Sequence, residues 1–279
     1  MRNVDLHSPE YPKALLALSK PPSLWVDGGS LSTRARAVAL VGPREASRLA
    51  LDTTEHLAKR IAARGTIVVS GGAFGVDSAA HRGAARTGKT WVVLPCGLDQ
   101  ATVKEVVTDP DLYDRIRANG GALVSAFALG TKSSVPNHHA RNSTIASLVT
   151  DMIVMQAAAD GGSISVGRKG LAAGIRVFTF RGPCWDPLFK GTVELFGLGA
   201  VEPESLAKLV DAVAAPPRRG LTEDEKAIFQ KLRQDAIHTD EVVERTGLPI
   251  GRVSSALLTL SLDDVVVEGP SGCYRRNST

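Results

Sequence analysis

The sequence predicts an α/β protein: an extended Rossmann-like, doubly wound parallel sheet followed by a small C-terminal winged-helix domain. Three observations carry this. Six short apolar runs recur with helical stretches between them, glycine sits at five of the six run ends, and a proline- and arginine-rich seam precedes a compact helical tail. The runs are Val38–Val41, Ile67–Ser70, Trp91–Leu94, Leu123–Ser125, Met152–Met155 and Val177–Phe180. Unbroken apolar runs such as VALV and WVVL suit strands covered on both faces. Their alternation with helices of roughly 10 to 20 residues calls for right-handed crossovers and a parallel sheet. The first helix is expected over Ser47–Arg64, where Leu49, Leu57 and Ile61 recur at helical spacing and Gly65 supplies the stop.

The seam is AAPPRRG, Ala214 to Gly220, which interrupts apolar periodicity as a linker does. It divides the chain into an N-terminal extension packing on the core (1–35), a Rossmann-like domain (36–215) and a winged helix (221–279). In the tail, Thr222 and Glu225 form a capping box, TDEVVERTGLP and IGRVSSALLTLSLDD read as two more helices, and VVVEGPSGCYRR reads as a hairpin. Three helices and a hairpin make a winged helix.

Composition narrows the function. Of 279 residues 43% are hydrophobic and 22% charged, ordinary for a globular chain. The longest apolar stretches, Ala37–Gly42 and Met152–Ala159, fall short of the ~20 residues that cross a bilayer, so no membrane insertion is expected. The opening MRNVDLHSPEYP lacks the apolar core of a secretory signal, and a cytoplasmic location follows. Cys96, Cys184 and Cys273 are far apart with no CxxC pair, which argues against a disulfide framework and a zinc site. The net charge is +4; residues 1–215 carry +5 of it and the tail −1, which places the basic surplus in the larger domain.

In an open parallel sheet, ligands bind beyond the carboxyl ends of the strands. The first run ends in Gly42-Pro43-Arg44 and the second in Ser70-Gly71-Gly72, with Phe74, Gly75 and Asp77 close behind. The third ends in Pro95-Cys96-Gly97, the fifth leads to Gly161-Gly162-Ser163, and the sixth to Arg181-Gly182-Pro183. Glycine-rich turns with outward N–H groups attract anions, and Arg44 and Arg141 sit where a cation would clamp a phosphate. GGAFG is not the dinucleotide fingerprint GxGxxG and no GxxxxGK[ST] occurs, so neither NAD binding nor P-loop hydrolysis gains support. Asp77 and His81 stand four apart on one helical face without a third ligand, so Asp77 is expected to brace its loop. His138 and His139 point apart, leaving one to stack on a base, and Cys96 reads as a small residue in a tight turn. Carboxylates are sparse at the strand ends, so binding without catalysis, cofactor or metal is expected.

The ordered set Val38-Ala-Leu-Val-Gly-x-Arg44, Ser70-Gly-Gly-x-x-Gly-Val-Asp-Ser-Ala-Ala-His-Arg-Gly83, Gly97-Leu-Asp99, Arg141-Asn142 and Gly162-Ser163 resembles the DNA-processing protein A family, also called DprA or Smf. The entry segment, with Tyr11-Pro12, Pro21, Leu24, Trp25 and Gly28, and the winged-helix tail are similar too. The resemblance implies a cytoplasmic protein that binds single-stranded DNA without strong sequence preference, forms a homodimer and helps load the RecA recombinase, with no catalysis. The candidate DNA- or phosphate-contacting residues are Gly42, Arg44, Ser70, Gly71, Gly72, Phe74, Gly75, Gly97, His138, Arg141, Asn142, Gly162 and Ser163, and the resemblance gives roles to some of them. Arg44 would hold a phosphate, the two glycine turns would donate backbone and hydroxyl contacts, and Arg141-Asn142 would floor the pocket.

The chain departs from the family's usual pattern at several positions. Pro43 stands for a serine, Phe74 for an arginine, His138-His139 for an aromatic-proline pair, Ser143 for an arginine, Ala126 for an acid and Val193 for an asparagine, and the Tyr-Pro after Gly-Leu-Asp is missing. Fewer cations predict weaker phosphate attraction, partly offset if Phe74 or His138 stacks on a base. The tail's recognition helix, Pro249 to Leu262, offers only Arg252 as a cation, which favours protein contact over duplex reading. The competing reading is a nucleotide-binding or nucleotide-cleaving enzyme or sensor of the lysine-decarboxylase-like Rossmann group, whose GGxGTxxE signature Gly191-Thr192-Val193-Glu194 faintly echoes.

Overall fold

The computed structural model describes residues 1–31, 36–106, 109–183, 185–214, 221–233, 235–262 and 265–276. Cys184 and most of the seam, 215–220, lie outside the described residues. The chain divides into two compact units, Met1–Pro216 and Pro217–Thr279. Among the described residues no helix is long and apolar enough to cross a membrane.

The first unit runs β1 (Arg2–Val4), β2 (Leu24–Gly28), β3 (Ala37–Val41), α1 (Arg48–Ala62), β4 (Ile67–Gly71), α2 (Val76–Ala84) and β5 (Thr90–Val93). It continues through α3 (Gln100–Val106), α4 (Pro110–Ala118), β6 (Ala122–Ser125), α5 (Val135–Leu148), β7 (Asp151–Val154), α6 (Gly162–Ala172), β8 (Arg176–Thr179), α7 (Lys190–Gly197) and α8 (Leu206–Val213). One eight-stranded sheet has the order β1-β2-β6-β5-β4-β3-β7-β8. From β6 to β8 every neighbouring pair is parallel, while β1 and β2 join the β6 edge antiparallel. All six apolar runs are strands, and the doubly wound α/β expectation holds. β1 and β2 were not anticipated: they are short, antiparallel and framed by Pro21-Pro22 and Gly28-Gly29, outside the βα rhythm.

The unbroken apolar runs have the expected cause. Alternate residues of one strand enter different cores: Ala37, Ala39 and Val41 join one, with Ile145, Ile164 and Leu195 from α5, α6 and α7. Val38 and Leu40 join another, with Leu57 and Ile61 of α1 and Leu209 and Val213 of α8. Further along the sheet Leu112 and Ile116 of α4 pack on Val92 and Leu123. Ser47 caps α1 by accepting from the Ala50 amide, and Gly65 takes φ +82° beyond its end. Leu49, expected on the apolar face, is instead 78% exposed in the first turn, and Ala50 and Thr54 fill the buried positions there. The crossover from β5 to β6 is two short helices rather than one.

The second unit holds α9 (Glu223–Lys231), β9 (Ile237–His238), α10 (Thr239–Thr246), α11 (Ile250–Leu262), β10 (Val266–Glu268) and β11 (Cys273–Arg276). Its sheet, β10-β11-β9, and the core built on Ile228, Val242, Val253 and Leu257 form the winged helix. The capping box is present in both directions: the Glu225 amide donates to Thr222 Oγ1 at 3.3 Å and the Thr222 amide to Glu225 Oε2 at 2.8 Å. Arg252, the cation of the recognition helix, is held by Asp224 at 2.7 and 2.5 Å.

Candidate functional site

From β3 the chain winds outward through β4, β5 and β6, then returns across the sheet to add β7 and β8 on the other side of β3. The winding direction therefore reverses between β3 and β7, the place where open α/β sheets bind ligands. A cleft of about 890 Å³ opens at their carboxyl ends. Its walls are Val41–Glu45 after β3, Ala158–Val166 from the β7–α6 turn into α6, and His138, His139, Arg141 and Asn142 of α5.

Gly161 stands at the N-cap of α6 and makes no side-chain cap, and a Cβ built on Gly162 would meet nothing within 4 Å. The amide N–H groups of a helix's first turn have no intrahelical acceptors, so this uncapped end presents donors and the positive dipole pole to the cleft. Arg141 approaches from α5. It is only 8% exposed, its Nη1 donates to the Val93 carbonyl at 3.4 Å and lies 4.0 Å from Asp77 Oδ2, and its buried Nε has no hydrogen-bond partner. The guanidinium presses so closely on Gly71 that a Cβ there would fall 1.6 Å from Nη1.

Asp77 braces this arrangement, as expected, by accepting from Ser70 Oγ at 3.0 Å and the Ala73 amide at 3.4 Å. Burial pushes its carboxyl upward, opposed by Arg141 and by those two donors. The same burial lowers Arg141, with Asp77 opposing. His81 faces inward: Nε2 donates to the Gly71 carbonyl and Nδ1 lies 2.8 Å from the Thr90 hydroxyl. Burial drives His81 down to about 4, so the ring is neutral and structural. Cys96 is buried, and desolvation raises its thiol to about 11, far from a nucleophile's range.

Seven of the thirteen residues expected at the site line the cleft: Gly42, Arg44, His138, Arg141, Asn142, Gly162 and Ser163. Arg44 is exposed on the rim and makes no ion pair among the described residues. The remaining six do not line it. Ser70 and Gly71 are buried beneath Arg141, with the Ser70 hydroxyl also 2.5 Å from the Leu40 carbonyl. Gly72 faces Leu94 and Tyr113, Gly75 takes φ +81° under the carbonyls of Pro43 and Arg44, and Phe74 stands out at the loop tip, 62% exposed. Gly97 belongs to a different loop cluster, packed on Ala128, Asp99 and Gly130.

Ser165, Arg168 and Leu188 also line the cleft and were not singled out from sequence. Positions 161, 165 and 168 share a helix face, a usable signal. Leu188 carries none, because it arrives through a tertiary bond from the Ala157 amide to its carbonyl at 2.8 Å. Arg168 is neutralised by Glu194 at 2.7 and 2.5 Å, so the acid in the faint GGxGTxxE echo is already engaged. Glu45, Asp77 and Asp160 line the cleft as well. The cleft thus brings together one helix end, one buried arginine and one rim arginine without an ion pair among the described residues, beside three carboxylates, and is not a broad basic trough.

A Rossmann-like sheet with a cleft at its reversal point, joined in one chain to a winged helix, defines the class: an α/β protein with a C-terminal winged-helix domain. Residues 2–214 match the family model described as DNA recombination-mediator protein A, and residues 212–272 match the DprA winged helix domain. The chain belongs to the DNA recombination-mediator protein A family, the DprA/Smf group of DNA-processing proteins. It is 29% identical to protein Smf of Escherichia coli, over 95% of this chain and 75% of that one. It is 27% identical to the DNA processing protein DprA of Bacillus subtilis, over 72% and 67%. The fold superimposes on DprA of Streptococcus pneumoniae with a TM-score of 0.65 at 25% identity, covering 77% of this chain and 75% of that one. A Helicobacter pylori DNA processing protein A, whose structure was described for its single-stranded DNA binding mode, gives 0.64 at 25% identity, covering 76% and 95%.

Proposed function

We propose that this protein binds single-stranded DNA through the cleft between β3 and β7 and delivers it to a RecA-type recombinase, acting in the cytoplasm as a homodimer and without catalysis. The observation that carries the DNA reading is the convergence of the uncapped α6 N-terminus, the Arg141 guanidinium and the unpaired Arg44 on one opening. Single-strand binding described for the H. pylori relative, and the family membership, support the choice of ligand and of the downstream recombinase. In this reading Arg44 and the Gly162-Ser163 amides take phosphates, and His138 and Phe74 lie against bases.

The seat is small, so the salt response is shallow. Two phosphates neutralised on a single strand give a slope of log K against log salt of about −1.4, at about −0.7 for each. The test is fluorescence anisotropy of labelled oligo(dT) at a series of salt concentrations, with Arg44→Ala beside the wild type. The variant is expected to bind about tenfold more weakly, the loss of one charge-assisted contact, and to flatten the slope. Absence of binding at low salt, or an Arg44→Ala protein indistinguishable from wild type, removes the proposal.

A further inference from the structure

Four neighbouring parallel strands, in the order β4-β3-β7-β8, send their carboxyl ends to the same edge of the sheet. The cleft occupies the middle two. Phe74 stands exposed on the β4–α2 loop; beyond β8 comes a segment that carries Trp185, 80% exposed. Of the other two indoles, Trp25 is half-buried and Trp91 is 2% exposed. Holding so large an apolar ring in water forgoes the burial that stabilises most tryptophans.

The described residues on either side of Trp185 are held by hydrogen bonds. The Asp186 amide donates to the Pro183 carbonyl at 3.0 Å, the Leu188 amide to Asp186 Oδ1 at 2.9 Å, and the Ala157 amide to the Leu188 carbonyl at 2.8 Å. Gly182 packs so closely on the Phe189 ring that a Cβ would come within 2.3 Å of it. Leu188 itself lines the cleft. Three residues of chain keep the Trp185 Cα within about 11 Å of the Leu188 Cα, so the exposed indole is carried by the same segment that supplies Leu188 to the cleft wall.

We propose that Trp185 is a base-stacking platform that extends the single-strand track past the β8 end, opposite Phe74. This rests on the DNA reading above and adds to it a path: the strand crosses the four strand ends, about 14 Å from β4 to β8 at ~4.8 Å per strand, with phosphates over Arg44 and α6 and a base on each outer ring. Aromatic stacking suits a ligand bound without sequence preference, because every base has a π-face.

The experiment compares wild type, Trp185→Ala, Trp185→Phe and Arg44→Ala on oligo(dT) and on an abasic strand of equal length. Trp185→Ala is expected to weaken oligo(dT) binding about 5- to 150-fold, the range of one stacked base, while Trp185→Phe keeps most of the affinity and both melt as the wild type does. On the abasic strand wild type and Trp185→Ala bind alike, whereas Arg44→Ala is weaker on both strands. Oligo(dT) also quenches the wild-type tryptophan emission more than that of Trp185→Phe. If Trp185→Ala binds oligo(dT) normally while Arg44→Ala does not, the platform is wrong and the cleft stands. An equal loss by Trp185→Ala on both strands also overturns the stacking role. A wild type that binds neither strand removes platform and cleft together.

Discussion

Two clusters of glycine turns at the same edge of the sheet reach opposite outcomes. At the reversal point, the β3 and β7 turns part around an open cleft where an arginine guanidinium occupies the space above Gly71. At the β5 and β6 ends, the turns close on each other. Asp99 accepts from the Thr102 hydroxyl at 2.7 Å, the Thr102 amide at 3.1 Å and the Gly130 amide at 2.6 Å, and the Gly97 amide donates to the Thr131 carbonyl at 2.8 Å. A carboxylate and a carbonyl take up the N–H donors of one cluster, while beside the other the start of α6 has no side-chain cap. Glycine alone therefore does not decide whether a strand-end turn stays open; the contacts its loop makes with neighbouring loops do.

The largest effect that sharpens this contrast falls on Asp77. Asp77→Ala leaves Arg141 buried without its carboxylate, and a loss of about 3–5 kcal/mol in urea unfolding is expected. Adding Arg141→Met is expected to restore part of it, since removing both charges costs less than orphaning one. A single variant as stable as the wild type contradicts the pairing.

A reciprocal pair of glycine substitutions comes next. In Gly97→Ala the new Cβ meets the Ala128 carbonyl at 2.6 Å and the Gly130 nitrogen at 2.9 Å, both backbone. Overpacking of this kind costs about 1–3 kcal/mol, and oligo(dT) affinity should be unchanged. Gly162→Asp has room for its side chain, and an acid in a first turn favours the helix. Its melting temperature should hold while DNA affinity falls about tenfold through phosphate repulsion. The two clusters exchange roles if the effects are swapped.

The smallest expected effect is a pH response confined to the open cluster. Burial first, then Arg141, Arg44 and His139, holds His138 below the ordinary histidine range, so it is neutral at pH 7. As pH falls through that lowered range the ring gains charge, and affinity for oligo(dT) should rise by a few-fold. His138→Gln should abolish the rise. Asp99 offers no such response: its donors, Thr102 foremost and then Gly130, hold it near 2, so it stays ionised across the same window. Its contribution to stability is complete above the unfolded carboxylate range and disappears only as pH falls toward 2.

The strands were legible because each is apolar on both faces, and the helices because caps such as Ser47 and Thr222 act over three residues. The edge strands β1 and β2 escaped notice because an antiparallel pair of three and five residues leaves too short a pattern. Arg44 and Gly162 were legible as a strand-end cation and glycine, and they meet in one cleft with Arg141, which was read as a loop cation but comes buried from within α5. Gly97 was read the same way but serves packing, since the carboxylate that closes its loop is set by a contact between residues 99 and 130.

Local chemistry, written into the residue order, determined the α/β class, the winged helix and the glycine-rich turns, because periodicity and capping act over a few positions along the chain. Only tertiary structure decided which turns open. It alone buried Arg141 against Gly71, withdrew His81 into the core and brought Leu188 to the cleft wall, since each of these depends on pairings between residues 10 to 70 positions apart. Short-range signals specify the elements, and long-range packing assigns each exposed donor, cation or ring a ligand or a neighbour.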